Sequence, residues 1–295
     1  MSVLDHGPVD PAPVEPGRPP VVSARDVVVA YRTGHGRRAE QVHALKGVSL
    51  DIMPGQTLGV VGESGSGKTT LGRVLLGLVR PTSGQVLFDG LPVTGRGTAR
   101  RLRGRLQVVL QNPDWSLNPT LHVWRSVAEP LAVTGRTARR ARREAVADML
   151  VLVGLDPALA DRHPHQLSGG QRQRVAIARA MITRPDLIVF DEAVTALDVS
   201  VQTQVLNLIR DLQAERGFAA LFISHDIAAV RYVSHGLAVT YHGQIVESGP
   251  VERFYDRAEH PYTRRLIGAM PTITKPTSTM QTTRPVSRRE KDDLP

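Results

Sequence analysis

Gly62-Glu63-Ser64-Gly65-Ser66-Gly67-Lys68-Thr69 follows the apolar run Thr57-Leu58-Gly59-Val60-Val61 and opens a helical pattern that continues from Lys68 to about Val79. A short buried strand, a glycine-rich turn ending in Lys-Thr and then a helix is the context in which G-x-x-x-x-G-K-[ST] cradles phosphate. Glycines let backbone N–H groups turn inward around the phosphate oxygens, and the helix N-terminus adds a favourable dipole. Lys68 is placed to neutralise charge on the β- and γ-phosphates, and Thr69 to offer its hydroxyl to Mg²⁺. The expected nucleotide-binding residues are therefore Gly62, Glu63, Ser64, Gly65, Ser66, Gly67, Lys68, Thr69 and Thr70. The ligand class is a nucleoside triphosphate.

On either side of this loop, β-branched runs alternate with helical patterns. Residues 21–31, 46–52, 85–90, 105–110, 186–190 and 218–223 have the length and composition of strands, and the last three are apolar enough to be buried on both faces. Residues 121–182 are helical in pattern almost throughout, with breaks near Gly135, Gly154 and Pro164. That alternation predicts an α/β core with a mostly parallel sheet and a helical insert.

Two further segments carry chemistry. Leu187-Ile188-Val189-Phe190-Asp191-Glu192 runs four apolar strand residues into two carboxylates, which puts them at the C-terminal edge of the sheet, where ligands of such sheets bind. Asp191 is expected to hold Mg²⁺ or its water, and Glu192 to act as general base toward the attacking water. Leu167-Ser168-Gly169-Gly170-Gln171 places a capping serine and two glycines at the start of a helix running to about Ile182, a second anion site on a chain whose single nucleotide already has one.

On these segments the chain resembles the ATP-binding-cassette (ABC) ATPases over about residues 21–270. The resemblance implies a P-loop NTPase (RecA-like) core, an antiparallel β subdomain and an inserted α-helical signature subdomain at about 112–182. It implies ATP and Mg²⁺ as cofactors. It further implies that Ser168, Gly169, Gly170 and Gln171 act in trans on the nucleotide of a second cassette. Gln111, after the strand RLQVVL, matches the glutamine that senses Mg²⁺ and the γ-phosphate; His225, ending FISHD, matches the switch histidine; Asp198 matches the loop linking the two sites; and Tyr31 matches the aromatic that stacks on adenine. By that reading Glu192, His225 and Gln111 are catalytic and Thr69, Gln111 and Asp191 hold the metal.

Within these ATPases the likeness is to subunits of oligopeptide and dipeptide importers and their nickel-importing relatives. It is carried by QNPDWSLNP at 111–119, DVSVQTQVLNLIRDLQ at 198–213 and HPYTRRL at 260–266, with IGAMP directly after it. The implied partners are a second ABC ATPase (a paralogue or a second copy), two membrane-spanning permease subunits and an extracytoplasmic solute-binding protein, with no nucleic acid. The implied place is the cytoplasmic face of the cell membrane, as a peripheral protein. The implied domains are residues 21–255 for the ATPase and 256–295 for a C-terminal extension. The chain departs from the family at Asn112 (usually Asp), Ala193 (usually Pro) and His235-Gly236 (usually Asp-Arg), and none of these removes a catalytic group. The competing class is a soluble ABC ATPase acting on ribosomes or nucleic acid. Against it stand a single cassette and the absence of long coiled-coil or metal-binding inserts.

Composition sets the outer bounds. With 295 residues the chain can bury a large core, and with no cysteine it can form neither disulfides nor thiolate metal sites. The N-terminal sequence has no basic-then-apolar signal pattern, and no apolar run is long enough to cross a bilayer. Net charge is +9, and ten arginines at 96, 100, 101, 103, 105, 136, 139, 140, 142 and 143 account for all of it. Clustered in two runs without a recognition motif, they favour solvated surface over a nucleic-acid groove. Six of 21 prolines lie in residues 1–20 and four in 271–295, a composition expected of disordered tails.

Overall fold

The computed structural model describes residues 18–33, 40–95, 97–135 and 138–269. The expected tails, apart from residues 18–20, lie outside the described residues, as do the side chains of Asp114 and Trp115.

Two sheets enclose the first helix. The smaller sheet has the order β2-β1-β4-β5, all antiparallel, from β1 (Val22–Thr33), β2 (Glu40–Ile52), β4 (Ser83–Phe88) and β5 (Leu91–Pro92). The larger has the order β10-β9-β3-β8-β7-β6, from β3 (Thr57–Val61), β6 (Leu106–Leu110), β7 (Leu187–Asp191), β8 (Ala219–Ile223), β9 (Gly236–Tyr241) and β10 (Gln244–Pro250). Its strands are parallel except β10, which closes one edge antiparallel to β9.

Alternation along the central strands builds a core on each face. Leu187, Val189, Leu221 and Ile223 point with Val60 toward α1 (Lys68–Leu75) and the antiparallel sheet. Ile188, Phe190, Ala220 and Phe222 point the other way, into the larger cluster shared with most of the remaining helices. Being buried on both faces explains why these strands read as unbroken apolar runs.

The helical insert comprises α3 (Pro113–Ser116), α4 (Val123–Thr134), α5 (Arg139–Leu152) and α6 (Gly169–Met181), preceded in the chain by the short α2 (Thr98–Leu102). Val123 and Val127 of α4 meet Val146 and Leu150 of α5 and Val175 of α6 in the same cluster. The chain then forms α7 (Val199–Arg216), α8 (Ile227–Val233), α9 (Val251–Arg257) and α10 (Pro261–Gly268). Part of the arginine excess is structural. Arg105 pairs with both Asp89 and Asp186 and lies 4.6 Å over the Phe88 ring, and Arg143 pairs with Asp161 and lies over Trp124.

Several element boundaries differ from expectation. The helix after the phosphate loop stops at Leu75 and not near Val79, because Gly77 at φ 70° ends it: the Gly77 N–H reaches the Val74 carbonyl and the Leu78 N–H the Arg73 carbonyl. The strand expected at 46–52 begins at Glu40, and that around 21–31 runs on to Thr33, since each pairs with the other along its length. At 235–236 the departure from the family pattern is absorbed locally. His235 Nδ1 accepts from the Thr57 N–H at 3.0 Å while the His235 N–H donates to the Thr57 carbonyl at 2.9 Å, fastening β9 to β3. Burial, helped by Arg210 and opposed by Glu252, depresses the pKa of this imidazole, which keeps it the neutral acceptor this bond needs.

Candidate functional site

Strand register assembles the site. Leu110 of β6 pairs with Asp191 of β7, Asp191 with Ile223 of β8, and Ile223 with Val60 of β3. Gln111, Glu192 and Ser224-His225 come directly after three of these strand ends, and the phosphate loop comes directly after Val61. Groups far apart in sequence thus emerge along one edge of the sheet.

The loop is pinned from behind by β9 and its turn. At Gly62 a Cβ would stand 2.2 Å from the Thr240 carbonyl oxygen, so only glycine lets the backbone pass. Thr240 Oγ1 donates to the Val61 carbonyl at 3.0 Å, which leaves Ser66 Oγ as the donor in their 2.9 Å contact. The Gly243 N–H donates to the Ser66 carbonyl at 3.1 Å. Lys68 is 6% exposed, and its Nζ donates to the carbonyls of Gly62 and Glu63, both at 2.8 Å. Burial lowers its pKa, and the carboxylates of Glu192, Asp191 and Glu63 pull it back up.

Thr69 Oγ1 donates to Asp191 Oδ1 at 3.1 Å, joining the loop to β7. Burial pushes the Asp191 carboxyl above its ordinary range, Glu192 adds to the shift, and Thr69, Arg73 and Lys68 oppose it. Glu192 sits at φ 52°, a strained conformation for a residue with a side chain. Three main-chain bonds hold it there: its N–H donates to the Ile223 carbonyl at 2.9 Å, and its own carbonyl accepts from the Thr195 N–H at 3.2 Å and from Thr195 Oγ1 at 2.9 Å. Its carboxylate Oε1 lies 3.7 Å from His225 Nδ1, beyond hydrogen-bond reach.

Gln111 Nε2 donates to Thr195 Oγ1 at 3.3 Å, so the segment after β6 is tied through Thr195 to the backbone of Glu192. Thr195 escaped the sequence reading, since a threonine three residues past the carboxylates carries no pattern of its own. Asp226, beside His225, accepts from the N–H groups of Ala228 and Ala229 to cap α8 and from Gln202 Nε2 at 2.8 Å, which anchors the histidine loop on α7.

Thr69 and Asp191 suit Mg²⁺. A hydroxyl and a raised carboxyl already in contact are hard oxygen donors that a dication would draw into its sphere, leaving its other positions to phosphate and water.

Ser168 and Gln171 form a reciprocal cap on α6: the Ser168 N–H donates to Gln171 Oε1 at 3.0 Å and the Gln171 N–H to Ser168 Oγ at 3.3 Å. A Cβ at Gly170 would lie 2.6 Å from Val201 Cγ1, so the first turns of α6 and α7 are in contact. Asp198 caps α7 by accepting from the Val201 N–H at 2.9 Å. Among the described residues no hydrogen bond joins Ser168–Gln171 to the phosphate loop. Tyr31, 39% exposed, pairs with Val42 at the outer end of β1. On the adjoining β2, Lys46 bonds to Gly243, which bonds to Ser66 of the loop, so Tyr31 lies on the strands that flank the loop.

The sequence profile described as ABC transporter matches residues 45–195, just over half of the chain. The chain belongs to the ABC transporter ATPases. A second profile, the C-terminal region of oligopeptide/dipeptide transporters, matches residues 246–293. The chain is 46% identical over 274 residues to the glutathione import ATP-binding protein GsiA of Pectobacterium atrosepticum, covering 91% of itself and 44% of that protein. It therefore spans less than half the length of that relative. It is also 46% identical over 262 residues to a proposed peptide import ATP-binding protein of Brucella abortus, covering 87% of itself and 78% of that protein. Among solved structures, the dimeric bacterial ABC transporter cassette MJ0796 superposes with TM-score 0.70 at 29% identity, covering 78% of this chain and 98% of that one. A second structure of that cassette, in a post-hydrolysis state with ADP and phosphate, gives 0.69 at 30% identity. The ABC ATPase described here thus has the expected α/β cassette fold. Among its described residues no helix is long and apolar enough to cross a membrane.

Proposed function

We propose that this ABC ATPase is the ATP-hydrolysing subunit of a multi-subunit importer and couples ATP binding and hydrolysis to the uptake of oligopeptides or dipeptides. The observation that carries the proposal is the union in one chain of the ATPase core at 45–195 with the C-terminal region of oligopeptide/dipeptide transporters at 246–293. The names of the relatives, glutathione import and peptide import, point to the same substrate class.

In this reading the phosphate-loop N–H groups and Lys68 hold the triphosphate, with Tyr31 against the adenine. Thr69, Asp191 and Gln111 would hold Mg²⁺, which when bound would supply charge neutralisation on the phosphoryl oxygens. Glu192 takes the proton of the attacking water, and His225 steadies the γ-phosphate from the adjoining strand end. Ser168, Gly169, Gly170 and Gln171 face outward to close on the nucleotide of a second ATPase subunit, across the loop that holds Asp198. The subunit works at the cytoplasmic face of the membrane, against two permease subunits fed by an extracytoplasmic solute-binding protein. Residues 112–130 form the permease contact, and the Gln111–Thr195–Glu192 link lets that surface feel the catalytic centre.

The test is uptake of labelled di- and tripeptides into vesicles carrying the reconstituted transporter with ATP inside the compartment that the ATPase faces. Accumulation that stops with Glu192→Gln supports the proposal. Hydrolysis with no peptide accumulation, or accumulation of nickel in its place, overturns the substrate class. At the exposed Pro119, a change to Asp with unaltered melting temperature should reduce uptake more than hydrolysis. Equal loss of both moves the docking surface elsewhere.

A further inference from the structure

The segment His260-Pro261-Tyr262-Thr263 lies outside the catalytic core, yet it ends on the phosphate loop. Two carboxylate oxygens of Glu247 on β10 each accept a backbone bond from the turn ahead of α10, from the Glu259 N–H at 2.9 Å and the His260 N–H at 3.0 Å. Although burial opposes it, these N–H groups hold the Glu247 carboxyl below its usual range, so both bonds are charge-assisted. His260 then caps the helix, its Nδ1 accepting from the Tyr262 N–H at 3.2 Å, and Pro261 takes the first helical position, where no N–H is required. The next side chain, Tyr262, is thereby aimed inward. It is 3% exposed, its ring lies 4.2 Å from that of Tyr241, and its hydroxyl oxygen accepts from the N–H of Glu63 at 3.0 Å.

Glu63 is the second residue of the phosphate loop, and its carbonyl is one of the two that hold Lys68 Nζ. This residue of the loop is thus gripped on its N–H side from α10 and on its carbonyl side by the lysine. Tyr241 precedes the turn whose Gly243 N–H bonds to Ser66, so the tyrosine pair meets the loop by a second route.

We propose that Tyr262 is a positioning residue for ATP binding: its hydroxyl fixes the first turn of the phosphate loop, and through it the C-terminal segment sets nucleotide affinity. Without that acceptor the Glu63 N–H is left unpaired beside a buried ring, and the loop loses one of the bonds that keep it open for phosphate. The inference rests on the nucleotide site and is independent of the solute carried.

The test is Tyr262→Phe in the full chain, which removes one oxygen and keeps the ring on Tyr241. Loss of a single neutral hydrogen bond should weaken binding of a fluorescent ATP analogue with Mg²⁺ about three- to tenfold and raise the KM for ATP in the assembled transporter equally. At saturating ATP, kcat should stay within about twofold, because no group at the reacting atoms has changed. A lower melting temperature with unchanged affinity and KM would make Tyr262 merely structural and overturn the proposal. Glu247→Gln supplies a second arm. Loosening the turn that carries α10 should also raise KM, and the effect should largely vanish when Glu247→Gln is made on top of Tyr262→Phe. A full additional effect in the double variant would mean that α10 acts on the nucleotide by another route.

Discussion

Replacing Glu192 by Gln isolates proton transfer from every other property of the site. The residue's place is determined by its backbone: the bonds to Ile223 and Thr195 hold it at φ 52° whatever the side chain carries. The carboxylate Oε1 is 3.7 Å from His225 Nδ1, beyond hydrogen-bond reach, so an amide of the same shape breaks no hydrogen bond to that ring. What disappears is basicity, whose loss costs about 10² to 10⁴ in rate. At about 1.36 kcal/mol per decade that raises the barrier by about 2.7 to 5.4 kcal/mol. Removing a negative charge near the triphosphate also leaves ATP affinity equal or somewhat higher. Phosphate release by the assembled transporter and nucleotide binding by the chain should be measured together. Less than a tenfold fall in turnover, or a matching fall in ATP affinity, would refute Glu192 as the base.

The other groups of the site respond differently. Lys68→Ala removes charge-assisted bonds to phosphate and the two bonds from Nζ to the Gly62 and Glu63 carbonyls, so ATP affinity should fall about 10- to 100-fold in equilibrium binding; an unchanged affinity and turnover would refute the loop assignment. Asp191→Asn should abolish Mg²⁺-dependent hydrolysis and also change the pH dependence of stability without nucleotide. Because the folded carboxyl is raised, the folded state favours its proton, and its contribution is lost as pH rises above the unfolded value; the variant's melting temperature should therefore gain on the wild type as pH climbs out of the ordinary carboxylate range, and parallel curves would refute it. Mixing a Lys68→Ala chain with a Ser168→Ala chain, each inactive alone, should restore one composite site if copies of this chain pair. If activity returns only when the paralogue replaces one of them, the partner is a different ATPase.

Where a function is written in adjacent residues, the sequence displays it. Residues 62–69 carry their strand, turn and helix with them, and Ser168 and Gln171, three apart, cap one another by geometry that any helix start provides. The double-sided core was legible for the same reason, since Ile188, Val189 and Phe190 are apolar regardless of which face each serves. What escaped depends on distant partners. The first half of β2, Glu40 to Leu45, becomes a strand by pairing with β1, and the stop at Gly77, though visible as a glycine, was overrun by the apolar pattern continuing through Leu78 and Val79. Thr195 matters only because β6 and β7 bring Gln111 beside it. Tyr262 was noticeable in its motif, but its reach to Glu63 exists only once β10 and α10 fold back across the sheet.

The groups to which the proposed function gives roles are poorly accommodated when no nucleotide is present. Lys68 is buried deeply enough to depress its pKa, Asp191 is buried enough to raise its own, and Glu192 adds a second carboxylate to the same edge at a strained backbone angle. In isolation the arrangement half-satisfies itself, with Lys68 on two carbonyls and Asp191 on the Thr69 hydroxyl. In the proposed reading a triphosphate would bring negative charge to Lys68 and the loop N–H groups, and a dication held by Thr69 and Asp191 would bring positive charge to the carboxylate. Each would offset part of the desolvation that burial imposes. The ligand then meets charges that the fold already holds in place, provided that the surrounding structure is stiff enough to keep them there. The double-faced sheet supplies most of that stiffness. The contacts from Thr240, Gly243 and Tyr262 supply it at the loop itself, where no regular secondary structure does so, and this makes the back of the phosphate loop, and not only its nucleotide-facing side, a determinant of affinity.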